Sequence, residues 1–252
     1  MRLRLPKVAD RRRHLSQLGP GATMATVPSF QRGRLKLSGK ESLLVLAPHC
    51  DDETLGAGAL MAEAVRLGCR VRVAFITNGD GFRYAAGRHY KRLRLAPAKQ
   101  IEFAYVRQSE ALQALADLGV VSDQVVFFGY PDRGLQAMWN ESWEPTHCFR
   151  SPFTGARCSP YSNSFTVETP YCGRAVVEDL RRLMLTTRPT HLITPHPRDA
   201  HGDHCATFCF LMHTLEELRA EGQIRKVHVL CYLVHRGAWP HPRGLHPHQM
   251  LH

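Results

Sequence analysis

Two short polar clusters carry the residue types that metal-assisted hydrolysis requires. The first is Pro48-His49-Cys50-Asp51-Asp52-Glu53; the second is His196-Pro197-Arg198-Asp199-Ala200-His201-Gly202-Asp203-His204. Imidazole nitrogen and carboxylate oxygen are suitable zinc ligands, and a catalytic zinc site typically has three protein ligands and a water. His49 and Asp52 stand three apart across an expected helix start, a spacing that can bring both side chains to one point. His201 and His204 have the same spacing and would share a helix face. A carboxylate left over beside the hydrolytic water can act as general base. Spacing alone leaves open which of Asp51 and Asp52 would bind the metal.

The same residues have plainer uses. Asp51, Asp52 and Glu53 can cap a helix and complement its dipole, and Asp199 or Asp203 can do so for another. The chain also holds 15 histidines, so chance proximity carries weight. Position is what favours chemistry. Leu43 to Pro48 is an apolar run suited to a strand buried on both faces, and the first cluster follows it directly. The second cluster follows the expected strand His191 to Thr194 and opens the expected helix Gly202 to Ala220.

The elements that must hold these clusters alternate. Helix Glu53 to Leu67 ends at Gly68 and leads to strand Val71 to Thr77, closed by Asn78-Gly79-Asp80. Helix Glu110 to Leu118 leads to strand Val125 to Phe128, and helix Ala175 to Leu185 leads to His191 to Thr194. Strand Val227 to Val234 comes last. Such alternation predicts an α/β, Rossmann-like, mainly parallel sheet with helices on both faces. Ligands of such sheets bind beyond the carboxyl ends of the strands, where both clusters lie. A single domain over 41–236 is expected, with an irregular extension over 1–40, a short strand near Arg34 to Leu37, and a Pro- and His-rich tail over 237–252. Residues 136–173 break the alternation and read as a substrate-covering insertion. Its Trp139, Trp143, Tyr161 and Tyr171 can stack on a sugar or pack the loop itself.

Composition narrows the class. At 252 residues and 44% hydrophobic content the chain can bury a large core. No apolar run is long enough to span a membrane, and the basic N-terminus lacks an apolar leader, so a cytoplasmic location is expected. The net charge of +11 invites a nucleic-acid reading, yet no nucleic-acid-binding module is recognisable, and nucleic acid is not expected as the main partner. None of the eight cysteines forms a Cys-x-x-Cys pair, which argues against a zinc knuckle or a redox couple.

The pair of clusters resembles the PIG-L/LmbE-like family of zinc-dependent N-deacetylases, whose motifs are His-Pro-Asp-Asp-Glu and His-Pro-x-Asp-x-His-x-Asp-His. The likeness runs from about Leu43 to Arg236. It includes Arg107-Gln108-Ser109-Glu110-Ala111, similar to the family's Arg-x-x-Glu-Ala helix, and the turn Gly129-Tyr130-Pro131-Asp132. Carried over by position, the resemblance implies His49, Asp52 and His204 as metal ligands and Asp51 as the base. It implies His201 as the group that stabilises or protonates the tetrahedral intermediate, and Asp203 as the residue that orients a histidine. Arg107 and Asp132 would help shape a substrate pocket, while Glu110 reads equally as a helix ion pair. The metal would be Zn2+, with Fe2+ or Co2+ as alternatives. Cys50 departs from the family's Pro and is expected to point away from the metal.

The function implied is removal of an N-acyl group, N-acetyl first, from an amino-sugar-containing small molecule. An amidase acting on a thiol conjugate or secondary metabolite is the nearest alternative. A non-catalytic metal-binding protein and a nucleic-acid-associated protein are the others.

Overall fold

The computed structural model describes residues 35–92, 94–224 and 226–235. The expected tail and most of the N-terminal extension, including Arg34, lie outside these residues, and 35–41 form no strand. The first apolar run forms β1 (Ser42–Ala47), buried along its whole length. It is followed by β2 (Arg70–Thr77), β3 (Val125–Tyr130), β4 (His191–Pro195) and β5 (His228–Tyr232). The strands form one sheet in the order β3-β2-β1-β4-β5. All four pairings are parallel.

Six helices connect them: α1 (Asp52–Arg66), α2 (Arg83–Tyr90), α3 (Pro97–Asp117), α4 (Leu135–Asn140), α5 (Gly173–Thr187) and α6 (Gly202–Ala220). The alternation of side chains along β1 explains its uniform burial. Leu43, Val45 and Ala47 share a core with Ala57 and Met61 of α1 and Leu115 of α3. Leu44 and Leu46 belong to the opposite core, with Leu180 of α5 and Phe210 of α6. Both faces of the sheet are thus covered, as a parallel sheet requires. Among the described residues no helix is long and apolar enough to cross a membrane.

Three helical stretches exceed the sequence expectation, and one of them is the short α4 that opens the 136–173 segment. α2 buries only Ala86, so it lacks the apolar stripe that marks a helix in sequence. α3 begins at Pro97, well before the expected Glu110, because Pro at its first turn starts it early.

The 136–173 segment is held by its own backbone bonds, Phe149 N–H to Tyr171 O at 2.8 Å and Ser159 N–H to Thr169 O at 2.9 Å among them. Trp139, Tyr161 and Tyr171 are buried. Trp139 and Trp143 pack against Phe210 of α6 at centroid distances of 5.0 and 6.1 Å. Of the two uses open to these aromatics, packing is the one the structure shows. Burying rings of this size is a large stabilising term for a segment with little regular structure.

Candidate metal centre and active site

β1 and β4 are neighbours, and the chain leaves β1 for β2 on one side and β4 for β5 on the other. The carboxyl ends of β1 and β4 therefore flank the point where strand order reverses, the crevice in which such sheets bind ligands. His49, Asp51 and Asp52 lie just after β1, with Asp52 opening α1. His201 caps α6, and Asp203 and His204 lie in its first turn. Despite their distance in sequence, the two clusters meet. His49, Asp51, Asp52, Arg107, Asp132 and His201 all line one cavity of about 210 Å³.

Asp52 is the hub. Its Oδ2 lies 3.0 Å from His49 Nδ1 and 3.0 Å from His204 Nε2. Burial alone would raise the Asp52 pKa, but His204 and His49 hold it well below the usual carboxylate range. On its far side, His204 Nδ1 lies 3.2 Å from Asp199 Oδ2. His49 Nε2 faces Asp203 Oδ2 at 3.3 Å and Asp132 Oδ1 at 3.4 Å. Burial opposes protonation of both imidazoles, yet the surrounding carboxylates raise the pKa of each. The same surplus of negative charge favours a divalent cation. Asp52 Oδ2 stands 3.0 Å from one nitrogen of each imidazole, and two imidazoles with a carboxylate are the donor types of a catalytic zinc site, so the residues fit the metal the family implies. His49, His201 and His204 also bring their ring nitrogens within 4.8 Å of one another, as do the ligand atoms of Asp52, His204 and His235.

Asp51 stands beside this set. Its Oδ2 accepts from Arg107 Nη2 at 3.1 Å, and the same nitrogen donates to the Cys50 carbonyl at 2.5 Å. Burial and the Asp52 charge raise the Asp51 pKa, while Arg107 opposes the rise. Arg107 also pairs with Glu110 at 2.7 Å, the helix ion pair that is the plain reading of that residue. The Cys50 side chain is buried in the α1-side core, away from the ligand cluster.

His201 Nδ1 accepts the backbone N–H of Asp203 at 3.2 Å. A neutral ring bonded in this way carries its proton on Nε2. Burial, then the charge of His49, pulls its pKa down to about 4. Asp203 contributes more than a cap. Its carboxylate accepts the backbone N–H of Arg133 at 2.6 Å and of Leu135 at 3.1 Å, and so ties α6 to the turn after β3. That turn places Asp132, whose Oδ2 accepts from Gly81 N–H at 3.0 Å.

Three residues here escape a reading of the sequence. Asp199 is fully buried and is not the helix cap, a role taken by His201. It accepts N–H bonds from His201 (2.9 Å), Val234 (3.1 Å) and His235 (2.9 Å). Asp80 is fully buried, accepts from Asp132 N–H and Tyr161 Oη, and is pushed up to about 7 by burial and the Asp132 charge. His235 enters from the end of the β5 segment and lines the same cavity. For Asp80 and His235 the one sequence signal is position just beyond the carboxyl end of a strand, while Asp199 also lies in the second polar cluster without its buried role being evident there.

Solved structures share this architecture. N,N'-diacetylchitobiose deacetylase from Pyrococcus horikoshii aligns with a TM-score of 0.52 at 17% identity, over 76% of this chain and 60% of that one. GalB, a 4-carboxy-2-hydroxymuconate hydratase from Pseudomonas putida, aligns with a TM-score of 0.50 at 17% identity, over 75% and 64%. The conserved protein TT1542 from Thermus thermophilus gives 0.48 at 22%, over 78% and 68%. At such identities the likeness to the first two concerns the fold, and the chain spans 60% to 68% of these proteins' lengths. No curated protein matches the chain. The sequence profile of the family described as PIG-L: GlcNAc-PI de-N-acetylase matches residues 44–215, a stretch that holds both polar clusters and strands β2, β3 and β4. The chain belongs to this family of deacetylases, amide hydrolases whose motifs meet here in one cavity.

Proposed function

We propose that the protein is a zinc-dependent hydrolase that removes an N-acyl group, N-acetyl first, from a small amino-sugar-containing substrate. The observation that carries this reading is the convergence of His49 and His204 on Asp52, at the wall of a cavity that His49, Asp51 and Asp52 line. The family's description, which names a GlcNAc derivative, supports the amino sugar.

His49, Asp52 and His204 would hold the metal, which when bound supplies Lewis acidity to the hydrolytic water and the amide carbonyl. Asp51 takes the proton of the attacking water. Arg107 occupies its Oδ2, which leaves Oδ1 for that proton. A carboxylate whose pKa is raised by burial is a stronger base at neutral pH than an exposed one. His201 presents its Nε2 proton to the oxyanion as the carbonyl becomes tetrahedral. Asp203 positions His49 and, through its backbone N–H, His201. Asp132 and Arg107 border the space left for the sugar.

The test is amine release from N-acetylglucosamine, its conjugates and a thiol-conjugate amide. Metal-stripped protein should be inactive and zinc should restore release. Release by the stripped protein at the same rate would remove the metal from the account.

A further inference from the structure

Asp132 lines the metal pocket, but the residues that hold it lie behind the wall. It stands in the turn after β3, and its Oδ1 faces His49 Nε2 at 3.4 Å. β2 and β3 are parallel neighbours, so their closing turns lie side by side. Asp132 N–H donates to Asp80 Oδ1 at 3.1 Å, and Asp132 Oδ2 accepts from Gly81 N–H at 3.0 Å. These reciprocal bonds lock one turn to the other. The second oxygen of Asp80 accepts from Tyr161 Oη at 3.0 Å, a bond that comes from the 136–173 segment.

Tyr161 is itself fixed. It is buried, and its ring meets that of Tyr105 on α3 edge to face at 5.6 Å. Ser162 N–H donates to Tyr105 Oη at 3.2 Å, and Asn163 Nδ2 donates to Gln108 Oε1 at 2.7 Å. Tyr161 thus reaches Asp80 from a seat on α3, the helix whose Arg107 holds Asp51. A buried carboxylate with both oxygens accepting has a fixed orientation, since turning it away leaves a buried donor unsatisfied. Asp80 and Tyr161 therefore have a geometric route to the pocket although neither lines it.

We propose that Asp80 and Tyr161 are positioning residues for substrate binding: through the bonds Tyr161–Asp80–Asp132, the 136–173 segment aims the Asp132 carboxylate into the metal pocket. The proposal rests on the deacetylase reading for its substrate, but the geometry of the brace does not depend on turnover. The brace needs two hydrogen-bond partners at residue 80 rather than a charge. An asparagine there supplies both, since its oxygen accepts Asp132 N–H and its NH2 donates to Tyr161 Oη.

The experiment measures KM and kcat for N-acetylglucosamine with zinc-loaded protein, bound zinc, and the His49 ring resonances of the metal-free protein. The variants are Tyr161→Phe, Asp80→Ala, Asp80→Asn and Tyr171→Phe. Tyr171 is the control: it is buried in the same segment and its Oη donates to the Gly129 carbonyl at 3.2 Å, so its replacement removes the same atom without touching Asp80. Tyr161→Phe and Asp80→Ala should raise KM about fivefold or more, with kcat within about twofold of wild type and bound zinc unchanged. Asp80→Asn should rescue the Asp80→Ala defect to within about twofold of wild type, and Tyr171→Phe should show none. Added to Asp132→Ala, Tyr161→Phe should raise KM no further, because its effect passes through Asp132. The His49 resonances, which sense Asp132 Oδ1, should move in Tyr161→Phe and stay in Tyr171→Phe. Tyr161→Phe carries the test should Asp80→Ala fail to fold. If no amide is cleaved, the resonances decide alone and the deacetylase reading fails separately. KM and His49 resonances that stay at wild-type values in Tyr161→Phe, or that move equally in Tyr171→Phe, would overturn the proposal.

Discussion

Replacing Asp199 by Asn should damage both stability and metal binding, although the two side chains have nearly the same shape. Two carboxylate oxygens here face at least five nitrogens, His235 Nδ1 at 3.6 Å from Oδ1 among them. Oδ1 accepts from His201 N–H, Oδ2 accepts from Val234 and His235 N–H, and His204 Nδ1 stands 3.2 Å from Oδ2. An amide has one acceptor oxygen. If it replaces Oδ2, its NH2 faces the His201 N–H, and one buried donor loses its partner. If it replaces Oδ1, the Val234 and His235 donors both lose theirs. The better orientation leaves a buried donor unsatisfied, which costs about 1–3 kcal/mol, and loss of charge weakens the bonds that remain. A total of about 2–4 kcal/mol is expected, with a 10- to 100-fold loss of zinc affinity because His204 loses the carboxylate that orients it. Urea unfolding of the metal-free proteins reads the first effect, and competition with a chromophoric chelator reads the second. An Asn variant within about 0.5 kcal/mol of wild type, with unchanged zinc affinity, would refute the assignment of Asp199 as the tie between α6, His204 and the end of β5.

Other substitutions test separate parts of the account. Gly81→Ala would place a Cβ 2.5 Å from Phe153 Cε2 and 2.8 Å from Asp132 Oδ2. It should cost about 1–3 kcal/mol in thermal unfolding and slow turnover by displacing Asp132, and a fully active, equally stable variant would show that this contact relaxes freely. Arg107→Gln removes the cation that lowers the Asp51 pKa, so the acid limb of the kcat/KM profile should move to higher pH; an unmoved limb would separate Arg107 from Asp51. The Glu53 carboxyl is buried with Oε2 unpartnered, and burial pushes it up from 4.5 to about 7. Below pH 4.5 folded and unfolded chains both hold the proton, and above pH 7 neither does, so the native state loses stability as pH rises between these values. The loss amounts to about 3 kcal/mol. Metal-free Glu53→Gln should therefore be more stable than wild type at pH 8 and similar at pH 4, and an equal gap at both would sink the reasoning.

How much of this was legible in sequence follows from what each residue does. β1 is a continuous apolar run because helices cover both faces of the sheet, and such runs announce themselves. The two polar clusters were legible because their residue types, each set just after a strand, have few other uses together, whereas the choice of Asp52 over Asp51 came only from the family resemblance. α2 was not, since a helix that buries one alanine leaves no periodic stripe. The 136–173 segment gave no period because its rings pack individually against α5, α6 and β3 rather than along one face. Asp199 read as a helix cap because local sequence does not show that β5 returns beside it and presents two N–H groups. Asp80 and His235 were hidden for the same reason: their partners are distant in the chain and near only after the sheet forms.

The most direct test of the central claim is one comparison, wild type against Asp51→Asn, both zinc-loaded, with bound zinc and amine release measured on the same samples. The proposal predicts equal zinc content, because Asp51 is not among the residues proposed to hold the metal, and a fall in kcat of about 10²- to 10⁴-fold, the range for loss of a general base. Asp51→Asn protein that keeps its zinc and turns over at close to the wild-type rate would contradict the claim that Asp51 takes the proton from water in this site.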